Sequence, residues 1–83
     1  MEADLRHHLT TCAAAYGSAK GIGLATVARL AAGDWRFFER IEGGASFTAR
    51  KYDAIMAWFS VNWPMNLDWP SDVPRPASAE VAA

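Results

Sequence analysis

The chain has 83 residues, 52% of them apolar and 20% charged, with a formal net charge of −1. That length allows a single domain and leaves no room for a dinucleotide-binding sheet, because each βαβ unit takes ~30 residues. The apolar fraction excludes a disordered chain, and the single cysteine, Cys12, excludes an internal disulfide framework.

No apolar run approaches the ~18 residues of a membrane helix. The start, Met1-Glu2-Ala3-Asp4, is acidic where a secretory signal is basic. The expectation is a cytoplasmic protein with no membrane partner. The charge is unevenly spread: residues 29–51 carry a surplus of two positive charges, and residues 52–83 a deficit of three. A basic middle points to an anionic partner there.

Taken in chain order, Leu5, Leu9, Cys12, Ala13 and Tyr16 fall at helical spacing. They predict a first helix from Ala3 to Tyr16, stopped by Gly17. A second helix is expected over Leu24–Ala32, with Leu24, Val27, Leu30 and Ala31 inward and Gly33 as its stop. Asp34 is placed to cap a third helix, Trp35–Glu42, whose apolar stripe is Phe37, Phe38 and Ile41. Gly43-Gly44 ends it.

Ser46 or Thr48 caps a fourth helix to about Ser60, in which Tyr52, Ile55, Met56 and Phe59 repeat at i, i+3, i+4, i+7. Asn62-Trp63-Pro64 breaks it, since the residue before proline resists the helical conformation. The remaining stretch holds all four prolines and two Trp-Pro steps. It is expected to be extended and packed back to about residue 75, with disorder beyond Pro76. The predicted architecture is thus all-α: a helical domain over residues 1–62 and a Trp/Pro-rich tail over 63–83.

Two resemblances carry functional expectations. "YGSAKGIG" (Tyr16–Gly23) resembles both signatures of the short-chain dehydrogenase/reductase family, the GxxxGxG turn at Gly17, Gly21 and Gly23 and the YxxxK pair at Tyr16 and Lys20. That resemblance implies a nicotinamide cofactor. It fails on context: an amphipathic helix, not a buried strand, precedes the glycines, and the two signatures overlap where the family holds them far apart. No enzyme activity and no cofactor are therefore expected. His8 and Cys12 have i, i+4 spacing, but with only His7 beside them they fall short of the four ligands of a structural zinc site.

The second resemblance is to the phage-repressor and Cro-like helix-turn-helix family of small bacterial or prophage-type regulators. It rests on "TVARLAAGDWRFFERIEGG" (Thr26–Gly44), with Ala28 where two helices approach, a glycine at the turn, the Ile41-Glu42-Gly43-Gly44 ending, and a Ser/Thr-capped helix after it. Ala28 to Gly33 spans five residues, where the family commonly has four.

The resemblance implies sequence-specific double-stranded DNA binding in transcriptional regulation, possession of a recognition helix over residues 35–42, and a homodimer on a two-fold site. Base-reading groups would be Arg36 and Arg40, with Trp35 and Glu39 on the same outward face. Thr26, Arg29, Ser46, Thr48, Arg50 and Lys51 would position phosphates.

An alternative remains open: a small helical protein-interaction module, an adaptor or anti-repressor, using Trp63 and Trp69. A further expectation is that the acidic tail competes with DNA for the basic middle.

Overall fold

The computed structural model describes residues 2–76, which fold into four helices and an extended tail with no strand among them. The expectation of disorder beyond Pro76 lies outside the described residues. Helix α1 (Glu2–Lys20) is followed by α2 (Leu24–Ala32), α3 (Phe37–Glu42) and α4 (Ala49–Asn62). None is long and apolar enough to cross a membrane.

The long helix α1 buries one stripe, Leu9, Cys12, Ala13 and Tyr16, at the spacing that brings successive turns onto one face. It does not stop at Gly17. That glycine is helical and buried, at a place where a side chain would be crowded: a Cβ there would lie 3.0 Å from the Ile22 carbonyl oxygen and 3.3 Å from Val27 Cγ2. The helix stops one turn later at Gly21, whose φ of +69° is the left-handed value glycine adopts without penalty. The Ile22 amide donates back to the Gly17 carbonyl at 3.0 Å, closing a Schellman cap. Two glycines are candidates for a stop, and packing against α2 decides between them.

Helix α2 lies against α1, α3 and α4. Val27 and Ala28 are fully buried, with Leu24 and Ala31 half-buried. Leu30, expected inward, is 43% exposed, because the stripe at 24, 27, 28 and 31 leaves it on the flank. Gly33 ends α2 at φ +72°, its amide donating to Arg29 O at 3.1 Å.

The third helix begins at Phe37, two residues later than expected. The Asp34 carboxylate accepts from the Arg36 amide at 3.1 Å, and the Asp34 carbonyl from the Phe37 amide at 3.0 Å. Asp34 thus builds a side-chain-stabilised turn, and Trp35 and Arg36 sit in that turn. Phe37, Phe38 and Ile41 of α3 are buried.

Thr48 caps α4, its hydroxyl accepting from the Lys51 amide at 3.0 Å. The helix runs to Asn62, one residue before Trp63, which is extended (φ −65°, ψ 135°) as its following proline demands. Ile55, Met56 and Phe59 are buried. Phe59 sits within 5.5–6.5 Å, ring centre to ring centre, of Tyr16, Phe38, Trp58 and Trp63. Fully burying one such ring contributes about 1.5–3 kcal/mol.

The tail repeats one device twice. In Trp63–Leu67 the indole N–H of Trp63 donates to the Leu67 carbonyl at 2.9 Å, and the Leu67 amide donates to Pro64 O at 3.2 Å. In Trp69–Val73 the Trp69 indole donates to Val73 O at 2.7 Å, and the Val73 amide to Pro70 O at 3.2 Å. The two indoles lie 4.8 Å apart. Trp63 and Val73 are buried with the helical core, and Trp69 and Leu67 pack partly against it. Arg75 stacks on Trp69 at 4.9 Å and donates to the Ser60 carbonyl at 2.8 Å.

Candidate nucleic-acid interface

The segment Gly33–Glu42 has two faces. Phe37, Phe38 and Ile41 are turned into the core, while Trp35, Arg36, Glu39 and Arg40 are exposed. The division follows from helix period: 37, 38 and 41 share one side, and 36, 39 and 40 share the other. Trp35 is 59% exposed and borders a shallow recess between α2 and α3, shared with Leu24, Ala25, Phe38 and Glu39.

The cations of this face are not equivalent. Arg36 stacks over the Trp35 ring at 5.5 Å and approaches Glu39 at 3.5 Å. Arg40 donates to the Asp34 carboxylate. That bond, and next the Arg36 amide, holds the Asp34 carboxyl below its usual range. The same bond raises Arg40 further above its ordinary value.

The six remaining sequence-derived positions flank this segment along the chain. The Arg29 and Arg50 side chains are exposed and make no hydrogen bond or ion pair with other described residues. Lys51 is half-buried: its Nζ donates to the Ala32 carbonyl at 2.7 Å and lies 5.9 Å from the Phe37 ring centre. Thr48 spends its hydroxyl on capping α4. Ser46 is exposed in the loop before that helix, and Thr26 is half-buried in α2.

Of the two tail tryptophans, Trp63 is buried, Trp69 is half-buried, and both indole N–H groups are bonded within the tail. Asp72 pairs with His7 of α1 at 2.8 Å and with none of the basic residues of α2, α3 or α4. His8 Nδ1 shares a hydrogen bond of 2.9 Å with the Tyr52 hydroxyl. Cys12 is fully buried, and burial, with Asp72 nearby, pushes its thiol up to about 12. Among the described residues no group of three or more His, Cys, Asp or Glu is placed to hold a metal ion.

Sequence reasoning missed Asp34 as part of this face. It treated the residue as a helix cap, and the signal for more was the Asp34/Arg40 pair on either side of a turn. Comparison with family models, curated proteins and solved structures finds no match to this chain.

Proposed function

We propose that the chain binds double-stranded DNA sequence-specifically and acts in transcriptional regulation, with the Trp35–Glu42 segment entering the major groove. The observation that carries this reading is the two-faced segment itself. Three buried apolar residues fasten it to the core, while Trp35, Arg36, Glu39 and Arg40 are exposed on the other side. An arginine in that position can bridge guanine O6 and N7, a contact worth ~1–3 kcal/mol of discrimination.

Flanking charge supports the same reading. Arg29 near the end of α2 and Arg50 in the first turn of α4 are solvent-exposed, with no internal partner among the described residues. The start of α4 adds amides suited to a phosphate. Cytoplasmic location and a homodimer on a two-fold site belong to this reading. The alternative of a tail-based protein-interaction module is disfavoured, because Trp63 is buried and both indole donors are used internally.

The test is fluorescence anisotropy of a labelled random-sequence duplex pool at low and moderate salt, followed by sequencing of the bound fraction. Phosphate contacts from Arg29 and Arg50 at about −0.9 each give a log–log salt slope of roughly −2 per monomer. Replacing Arg36 and Arg40 together by alanine is expected to erase the sequence enrichment. No binding at the lowest salt, or enrichment unchanged by that double substitution, overturns the reading.

A further inference from the structure

The Asp34 side chain stands where a purely phosphate-binding surface has no use for it. A carboxylate laid on an arginine offsets charge that attracts DNA, and stabilising the turn uses only Oδ1, which leaves Oδ2 for a directional role. Asp34 is held at three backbone or side-chain points. Its amide reaches Ala28 O at 3.5 Å, its carbonyl accepts from the Phe37 amide at 3.0 Å, and Oδ1 accepts from the Arg36 amide at 3.1 Å. Those ties fix the plane of the carboxylate and aim Oδ2 at Arg40, six residues on, which donates to it through Nη2.

Arg40 is otherwise uncommitted. Its side chain is 47% exposed, and its Nη1 and Nε hydrogens have no partner among the described residues. A guanidinium fixed through one Nη2 hydrogen still presents a planar fork of donors, the geometry that matches two acceptors on one base. Arg36 differs: it rests on the exposed Trp35 ring at 5.5 Å and approaches Glu39 at 3.5 Å, and the side chains of Arg36 and Glu39 are both more than half exposed.

We infer that Asp34 is a positioning residue for base reading, bracing the Arg40 guanidinium so that its free edge meets guanine O6 and N7. The inference rests on the DNA-binding reading above. It makes Arg40 the pre-oriented reader of this face and Arg36 the adaptable one. Ordering a long side chain before binding removes an entropic cost from the complex.

The experiment compares wild type, Asp34→Asn, Arg40→Ala and the double variant against the same random duplex pool. Asparagine keeps an oxygen for the Arg36 amide and removes the ion pair. The expected result for Asp34→Asn is a loss of guanine preference of about tenfold or more at one base-pair position, the lower part of the range for a bidentate contact. Its affinity for the unselected pool is expected to rise, with a salt slope steeper by about 0.9 as Arg40 turns to a phosphate.

Arg40→Ala is expected to lose preference at the same position, and the double variant to lose no more. A merely structural Asp34 would instead lower affinity at all sequences alike. Far-ultraviolet circular dichroism melting reports whether each variant folds. If Asp34→Asn does not fold, Arg40→Lys, which retains the ion pair but lacks the fork, is expected to lose the same guanine preference. An enrichment profile unchanged in Asp34→Asn, or in Arg40→Lys when that variant stands in, overturns the inference while leaving DNA binding intact. A wild-type protein that binds no duplex, or enriches no sequence, overturns the DNA-binding reading and this inference with it.

Discussion

Lys51 Nζ donates to the Ala32 carbonyl at 2.7 Å, so the start of α4 is tied to the last residue of α2. The Ala32 carbonyl, at the end of α2, has no amide partner within its own helix, and a cation there meets the negative end of the helix dipole. The bond is half-buried, which limits its screening by salt. Lys51→Met keeps the aliphatic stem and removes the donor and charge. It is expected to destabilise the domain by about 1 kcal/mol, a fall in Tm of about 4–8 °C for a domain of this size. Thermal melting checks this, and a Tm within 1 °C of wild type would remove Lys51 from the structural account.

Gly17 and Gly43 provide a matched pair of substitutions. Alanine at Gly17 gains helix propensity, worth roughly 0.5–1 kcal/mol. Against that stands a Cβ 3.0 Å from a backbone oxygen that cannot swing aside as a side-chain tip would. Over-packing of this kind costs about 1–3 kcal/mol, so the net expectation is destabilisation of about 1 kcal/mol. Gly43 has no neighbour nearer than 3.5 Å and a negative φ, and Gly43→Ala is expected to stay within about 0.5 kcal/mol of wild type. Urea denaturation of the two variants decides it: equal midpoints would show that the α1–α2 approach is looser than described.

Asp72 and His7 give the tail a pH dependence whose sign is fixed. The His7 hydrogen bond, and after it a backbone hydrogen bond, lowers the Asp72 carboxyl below its ordinary value. A carboxylate depressed in the folded state contributes its full stabilisation above the unfolded value, ~3.9, and loses it as pH falls through the folded value. In His7→Ala the Asp72 midpoint is expected to rise toward the ordinary carboxylate range. A carbon-13 NMR titration of the side-chain carboxyls reads this directly, and an unmoved midpoint would mean that the backbone alone holds it down.

Much of the helical framework is visible in the sequence because it depends on local spacing. The i, i+3, i+4, i+7 run at Tyr52, Ile55, Met56 and Phe59 marks α4, and Phe37, Phe38 and Ile41 mark the inward side of α3. What escapes is decided by contacts between distant residues. Gly17 reads as a stop until the approach of Ile22 and Val27 gives it a packing reason. Leu30 counts as apolar, yet lies a third of a turn off the buried stripe.

The candidate surface divides in the same way. Exposure of Arg36, Glu39 and Arg40 follows from the helix period once the apolar stripe is known. The Asp34–Arg40 pair does not, because six residues across a turn is no helical spacing. The doubled Trp-Pro unit was within reach: "WPMNL" and "WPSDV" share both the tryptophan-proline start and an apolar fifth residue. Only the indole hydrogen bonds reveal why the fifth position matters.

The core joins Leu9, near the beginning of the described chain, to Val73, near its end. During synthesis the helices can therefore form turn by turn, but their shared interior cannot be completed until the second Trp-Pro unit has left the ribosome. A nascent chain halted before Trp69 lacks the indole that lies 4.8 Å from Trp63, and one halted before Val73 lacks a buried member of the core. Closure of the interior thus waits on the Trp69–Val73 unit, which is made after all four helices.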